Sequence, residues 1–203
     1  MTEYKAFIDD PDHLAKLEGQ RFVVLRACGA VSEAFRPIQA TLRAHLRGKP
    51  ISYPAQPHVT LAGFSSGTEV GAVRDLVTHW ARSVPPLQLA VERVSAFPAP
   101  FQVLIVEIRK TPALFQALVA LRQEGARRQL GSVTITPPEE WGFHMSLAYC
   151  AQLTTSDSWN RAQRFGEELE LSRGAQCVVE SAEIVAFDAG RECSGGVVAL
   201  TGT

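Results

Sequence analysis

The chain has 203 residues, 46% of them hydrophobic, with a formal net charge of −1 and a pI near 6.5. That near-neutral balance excludes a broad basic face for long duplex nucleic acid, because such binding rests on counterion release by many Lys and Arg side chains. No apolar run approaches the roughly 20 residues needed to cross a bilayer, and the N-terminal MTEYKAFIDDPDH lacks the basic and apolar regions of a signal peptide. A cytoplasmic protein with no membrane partner is expected, and at this size a monomer.

Residues 1–19, with Asp9, Asp10 and Asp12, read as an arm ahead of a single domain over 20–203. The apolar run 21–28 reads as a buried strand. Helical spacing follows over 31–47, where Phe35, Ile38, Leu42 and Leu46 recur every three to four residues, Ser32 is a candidate cap and Gly48 a candidate stop. A loop with Pro50, Pro54 and Pro57 leads to a strand over 58–64. Thr68-Glu69 opens a second helix, and Pro85-Pro86 lies beyond its end. Residues 87–97 alternate as a strand.

A second half, about 99–203, starts again. It has a strand over 101–109 and a helix from Thr111-Pro112, a capping hydroxyl before proline in the first turn. A strand over 143–150, a helix from Ser156-Asp157 and strands over 176–187 and 196–200 complete it. Both halves, 20–98 and 99–203, therefore read strand, helix, strand, helix, strand, with matched landmarks roughly 80 to 90 residues apart. This order implies an α+β fold of two αβ lobes related by a pseudo-two-fold axis around a central cleft.

The third element of each half carries the same motif. His58-Val59-Thr60-Leu61-Ala62 and His144-Met145-Ser146-Leu147-Ala148 both read His, apolar, Thr/Ser, Leu, Ala, and use two of the five histidines. In a strand, positions two apart share a face, so His58 and Thr60 point one way while Val59 and Leu61 enter the core. His144 and Ser146 follow the same rule. Ala62 and Ala148 would continue the functional face with little bulk. Phe64 would lie on it too if the strand persists, as a substrate-stacking ring or as cleft floor, whereas Phe143 and Tyr149 would face away unless a strand edge lets one of them approach the cleft.

Two imidazoles near pKa 6.5 hold one neutral and one protonated state at neutral pH, which suits base and acid in phosphodiester cleavage. The Thr60 and Ser146 hydroxyls suit hydrogen bonds to non-bridging oxygens. This scheme calls for no metal and no other cofactor. Cys28, Cys150, Cys177 and Cys193 show neither CxxC pairing nor metal spacing, and reduced thiols are expected, with Cys28 and Cys150 packed in strands. Arg26 and Arg109 read as rim residues, and Trp141, Phe143 and Glu139-Glu140 as a loop that either covers the cleft or simply packs.

These motifs resemble those of the two-histidine (2H) phosphoesterase superfamily, which includes bacterial 2′-5′ RNA ligases and RNA 2′,3′-cyclic phosphodiesterases. Pro57-His58-Val59-Thr60-Leu61 is similar to its first motif and His144-Met145-Ser146-Leu147 to its second. The resemblance implies a metal-independent bilobal enzyme with His58 and His144 catalytic and Thr60 and Ser146 on the phosphate. Its expected partner is a nucleotide or RNA end carrying a 2′,3′-cyclic phosphate. Phe143 stands where many members have proline, and Tyr149-Cys150 where a basic residue is frequent. Hydrolysis of 2′,5′-linked oligonucleotides or of ADP-ribose cyclic phosphate, and non-catalytic binding of a nucleotide or RNA end, remain open alternatives.

Overall fold

The computed structural model describes residues 17–49, 51–54, 56–98, 101–150, 156–169, 174–188 and 191–202. Most of the expected arm lies outside these residues. The chain runs β1 (Arg21–Arg26), α1 (Gly29–His45), β2 (His58–Phe64), α2 (Val70–Ala81), β3 (Leu87–Phe97), β4 (Val103–Ile108), α3 (Pro112–Arg127), β5 (His144–Tyr149), α4 (Ser156–Glu167), β6 (Gln176–Val179), β7 (Ser181–Asp188) and β8 (Arg191–Ala199), with a 3-10 turn at Pro138–Glu140.

Local chemistry accounts for most of these boundaries. Helix α1 buries Val31, Phe35, Ile38 and Leu42, the spacing of one helical face. It begins earlier than expected, because Cys28 rather than Ser32 occupies the cap, without a side-chain cap bond. Cys28 is accordingly exposed at a helix end, not packed in a strand, while Cys150 is buried as expected. Helix α3 starts as its sequence implies: Thr111 Oγ1 accepts from the Leu114 amide at 3.2 Å, and Pro112 fills the first turn, where no donor is needed.

The architecture is α+β, with two four-stranded antiparallel sheets ordered β2-β1-β7-β8 and β5-β4-β3-β6. The sheets do not follow the sequence halves. Strand β3, from the first half, pairs with β4 of the second, and β7 returns to pair with β1. The single strand expected over 176–187 is thus two strands, β6 and β7, in different sheets. Residues on both sides of Glu180 keep an extended pattern, so the sequence shows no break; the Glu180 carbonyl accepts instead from the Leu200 amide at 2.8 Å.

The helices are exchanged as well. Helix α1 packs on β3, β5 and β6, whereas α3 packs on β2 and α2. Each histidine strand therefore contacts a helix from the opposite half. One contiguous core joins Val59 and Leu61 of β2, Met145 and Leu147 of β5, and Phe35, Leu42, Leu118 and Leu121 of the helices, all 2% exposed or less. Each such side chain contributes about 1.5–3 kcal/mol by leaving water. That core fixes how β2 and β5 meet.

Candidate active site

Strands β2 and β5 present the repeated motif side by side. His58, Thr60, His144 and Ser146 are each half-buried, and the alternating Val59, Leu61, Met145 and Leu147 are fully buried. The two pairs reach their common face by the same register. Arg26 is the Cα partner of His58 and Val24 that of Thr60; Glu107 is the partner of His144 and Ile105 that of Ser146.

Both motifs then contain the same irregularity. Val23 pairs with Ala62 while Val24 pairs with Thr60, so Leu61 is an extra residue; Leu104 pairs with Ala148 while Ile105 pairs with Ser146, so Leu147 is another. A bulge leaves a carbonyl outside the ladder. Here the exchanged helices satisfy it. Arg122 Nε of α3 donates to Leu61 O at 3.2 Å and Nη1 to Thr136 O at 2.8 Å. Gln39 Nε2 of α1 donates to Leu147 O at 3.2 Å and to Pro54 O at 2.9 Å. In each case one side chain ties the bulge of the other half to a loop of its own half, the loop that leads to its own histidine strand.

The bulges overturn three expectations by reversing which face later residues occupy. Phe64 is not a stacking ring: it is 2% exposed in the core, its edge 3.1 Å from where a Cβ on Gly125 would sit. Ala62 and Ala148 are buried in the same core, at 3% and 0% exposure, and do not extend the functional face. Tyr149 turns toward the site. Its hydroxyl is hydrogen-bonded to the Ser146 side chain, burial pushes its pKa up to about 12, and its ring packs against the patch of Val24, the register partner of Thr60, with Val185 and Phe187. Phe143 faces the core, 2% exposed, as expected.

The backbone two residues before each histidine orients its ring. His144 Nδ1 donates to Gly142 O at 2.8 Å; a carbonyl only accepts, so Nδ1 carries hydrogen and Nε2 is left for the cleft. The Gln56 backbone also hydrogen-bonds the His58 ring. Phe97 of β3 stands edge-on to His144 at 4.7 Å and 89°, and Trp141 lies 6.3 Å away. Trp141 is itself held under the Arg122 guanidinium at 4.4 Å, and Lys110 Nζ binds the carbonyls of Pro138 and Glu139, so this segment is pinned in place beside the site.

Charges divide the two imidazoles. Burial lowers the His58 pKa to about 3, helped by the Arg26 guanidinium and by His144, against the pull of Gln56. Arg26 Nη1 lies 3.3 Å from His58 Nδ1. Burial also lowers His144, but there the Gly142 carbonyl and the Glu107 carboxylate pull the other way. Arg26 is in turn held by Glu183 at 2.6 Å and Glu192 at 2.5 Å, both carboxylates buried. Arg93 holds Glu107 at 2.7 Å. Sequence reasoning leaves Arg26 on the rim and misses Glu107, Phe97 and the turn of Tyr149. Strand offset could have paired Arg26 with His58, but not the bulges. Arg109 is exposed, as a rim residue should be.

Among the described residues, no three His, Cys, Asp or Glu side chains cluster as a metal site, and no helix is long and apolar enough to cross a membrane.

Two exchanged four-stranded sheets, each bearing a His-x-[Thr/Ser] strand at the same depth, define the class of two-histidine phosphoesterases. The model of the 2′-5′ RNA ligase superfamily matches residues 29–190, and the chain belongs to that family. Among solved structures, TT0787 of Thermus thermophilus superposes with a TM-score of 0.70 at 17% identity, over 90% of this chain and 98% of that one. E. coli LigT complexed with 3′-AMP gives 0.59 at 19% identity, over 91% and 99%. Kluyveromyces marxianus Usb1 gives 0.54 at 12%, over 90% and 98%. Comparison with curated protein sequences finds no match. Family membership carries a phosphoesterase or ligase-like enzyme class; the structural likenesses carry the fold.

Proposed function

We propose that this chain is a phosphodiesterase that opens a 2′,3′-cyclic phosphate on a nucleotide or RNA end, with His58 as general base and His144 as general acid. The observation that carries this reading is the opposite charge at matched register positions, Arg26 across from His58 and Glu107 across from His144. A cation beside one imidazole favours its neutral form, and an anion beside the other favours its protonated form. Pairs of titratable groups with environments pushed apart divide naturally into base and acid. E. coli LigT has been crystallised with 3′-AMP, ATP and NADP+, which supports a nucleotide as the ligand.

His58 takes a proton from water as its oxygen attacks phosphorus. The bond from phosphorus to one ribose oxygen breaks, and His144 gives its Nε2 proton to that oxygen, leaving a phosphomonoester and a ribose hydroxyl. Thr60 and Ser146 donate to the non-bridging oxygens, with Tyr149 fixing the Ser146 hydroxyl. The same steps in the same direction, with the 5′-hydroxyl of a second strand attacking in place of water and the 3′-oxygen leaving with the His144 proton, describe 2′-5′ ligation. The carbonyl acceptor on His144 Nδ1 is what keeps Nε2 aimed at the leaving oxygen.

The test is turnover of the four nucleoside 2′,3′-cyclic monophosphates and a cyclic-ended RNA in chelator, alongside 2′,5′-linked oligonucleotides and ADP-ribose cyclic phosphate. Cleavage of cyclic ends, reduced about 10²–10⁴-fold in His58→Ala and His144→Ala, is expected. Saturable binding with unchanged ligand would replace the reading by a non-catalytic one.

A further inference from the structure

Two cysteines meet at a place that the proposed reaction does not use. Cys28 lies just beyond β1 and occupies the N-cap of α1, whereas Cys177 lies on β6, an outer strand of the other sheet. The two residues are distant in sequence, and the fold brings them into contact. Cys28 Sγ donates to Val178 O at 3.4 Å, so its side chain is docked on β6. The Cys28 backbone amide donates to the Cys177 thiol, and the two thiols are hydrogen-bonded to each other. Helix α1 packs on β6 as well, which holds this approach in place.

We propose that Cys28 and Cys177 are a redox-modification site, at which a small-molecule disulfide of the glutathione type produces an intramolecular bond that latches the His58 sheet to the His144 sheet. The site is separate from the catalytic pairs, and its test uses no phosphoester substrate.

The reaction is a thiol–disulfide exchange in two steps. The Cys28 thiolate attacks one sulfur of glutathione disulfide, whose S–S bond breaks, and one glutathione thiolate leaves. Cys177 then gives up its proton and attacks the Cys28 sulfur, displacing the second glutathione thiolate. Two electrons and two protons pass from the protein thiols to the reagent, which ends as two molecules of glutathione.

Exposure sets the order of attack. Cys28 is exposed and meets the reagent, whereas Cys177 is half-buried. Burial pushes the Cys177 thiol up to about 11, the thiol of Cys28 adds to the rise and the Cys28 amide opposes it. A thiol held protonated is a poor first nucleophile. Once Cys28 carries glutathione, contact makes the second attack intramolecular. Cys150 and Cys193 are buried and serve as internal controls that should stay reduced. The bond would tie the end of β1, where Arg26 faces His58, to β6. A cross-link between elements so distant in sequence acts chiefly by restricting the unfolded chain.

The experiment treats the full chain with glutathione disulfide and follows intact mass, peptide mapping and thermal unfolding, in wild type, Cys28→Ser and Cys177→Ser. Wild type is expected to lose two hydrogens, retain no glutathione, yield a Cys28–Cys177 linked peptide and revert with dithiothreitol. Its unfolding midpoint should rise by roughly 5–15 °C on oxidation. Cys177→Ser should stop at the mixed disulfide on Cys28, and Cys28→Ser should stay unmodified over the time in which wild type is complete. The wild-type mapping decides the matter even if a variant fails to fold. A stable glutathione adduct on wild-type Cys28, a Cys28 link between two chains, or a mapped bond without a rise in midpoint overturns the latch.

Discussion

Arg26 and Glu107 are counterparts: each stands directly across an antiparallel ladder from a motif histidine, Arg26 from His58 and Glu107 from His144. The fold repeats the position and inverts the charge. In an opposed pair the side chains share a face at close range, so each charge acts on its own imidazole.

The first prediction concerns pH. The limbs of kcat/KM report the free enzyme, with His58 setting the acidic limb and His144 the basic one. Both pKa values lie below the ordinary 6.5, so the optimum should fall on the acid side of that value. Removing an anion lowers the proton affinity of its neighbour, so Glu107→Gln should move the basic limb to lower pH and leave the acidic limb in place. A pH–rate profile in which Glu107→Gln moves neither limb, or only the acidic one, contradicts the assignment.

Stability should follow the same groups. His58 is neutral in the folded state down to about pH 3 and ordinary when unfolded, so below about pH 6.5 the unfolded chain binds more protons. Stability is full above that value and is lost as pH falls toward 3. Thermal unfolding across pH 4–8 should show a shallower acid slope in His58→Asn than in wild type.

The Arg26 cluster carries a separate cost. Arg26→Met leaves the buried carboxylates of Glu183 and Glu192 without this partner and should destabilise by about 3–5 kcal/mol in denaturant unfolding. Adding Glu183→Gln and Glu192→Gln to that chain should restore much of the loss. Failure to restore would mean that Arg26 acts through packing of its stem and not through charge.

Phe64 and Phe97 should behave oppositely. Phe64→Ala empties a core position and should cost about 3–5 kcal/mol of stability with little change in KM of the folded enzyme. Phe97→Ala removes the ring edge-on to His144 and should lower kcat/KM while costing less stability. Denaturant curves and steady-state kinetics on the two variants check this.

The contrast shows where the sequence is readable. The motif spacing places His58 with Thr60 and His144 with Ser146 on one face because period-two alternation is local, and Thr111-Pro112 announces α3 for the same reason. What lies beyond Leu61 and Leu147 is not local. A bulge is defined by the partner strand, and its stability here comes from Arg122 and Gln39 on helices distant in sequence. Nothing in HVTLAGF or HMSLAY announces it, so alternation alone puts Phe64 and Tyr149 on the wrong faces. The exchange of β3 and β7 between sheets is hidden similarly, since alternation says that a strand pairs but not with which neighbour.

The most direct test of the account is the dependence on leaving group. A phosphodiester whose leaving ribose oxygen is replaced by p-nitrophenolate needs no proton on departure, so an enzyme lacking its acid should recover and one lacking its base should not. The account predicts that His144→Ala loses about 10²–10⁴-fold on the cyclic phosphate and less than about tenfold on the aryl ester, while His58→Ala is impaired on both. Rescue of His58→Ala instead, or equal defects of both variants on both substrates, would contradict the division of roles that Arg26 and Glu107 impose.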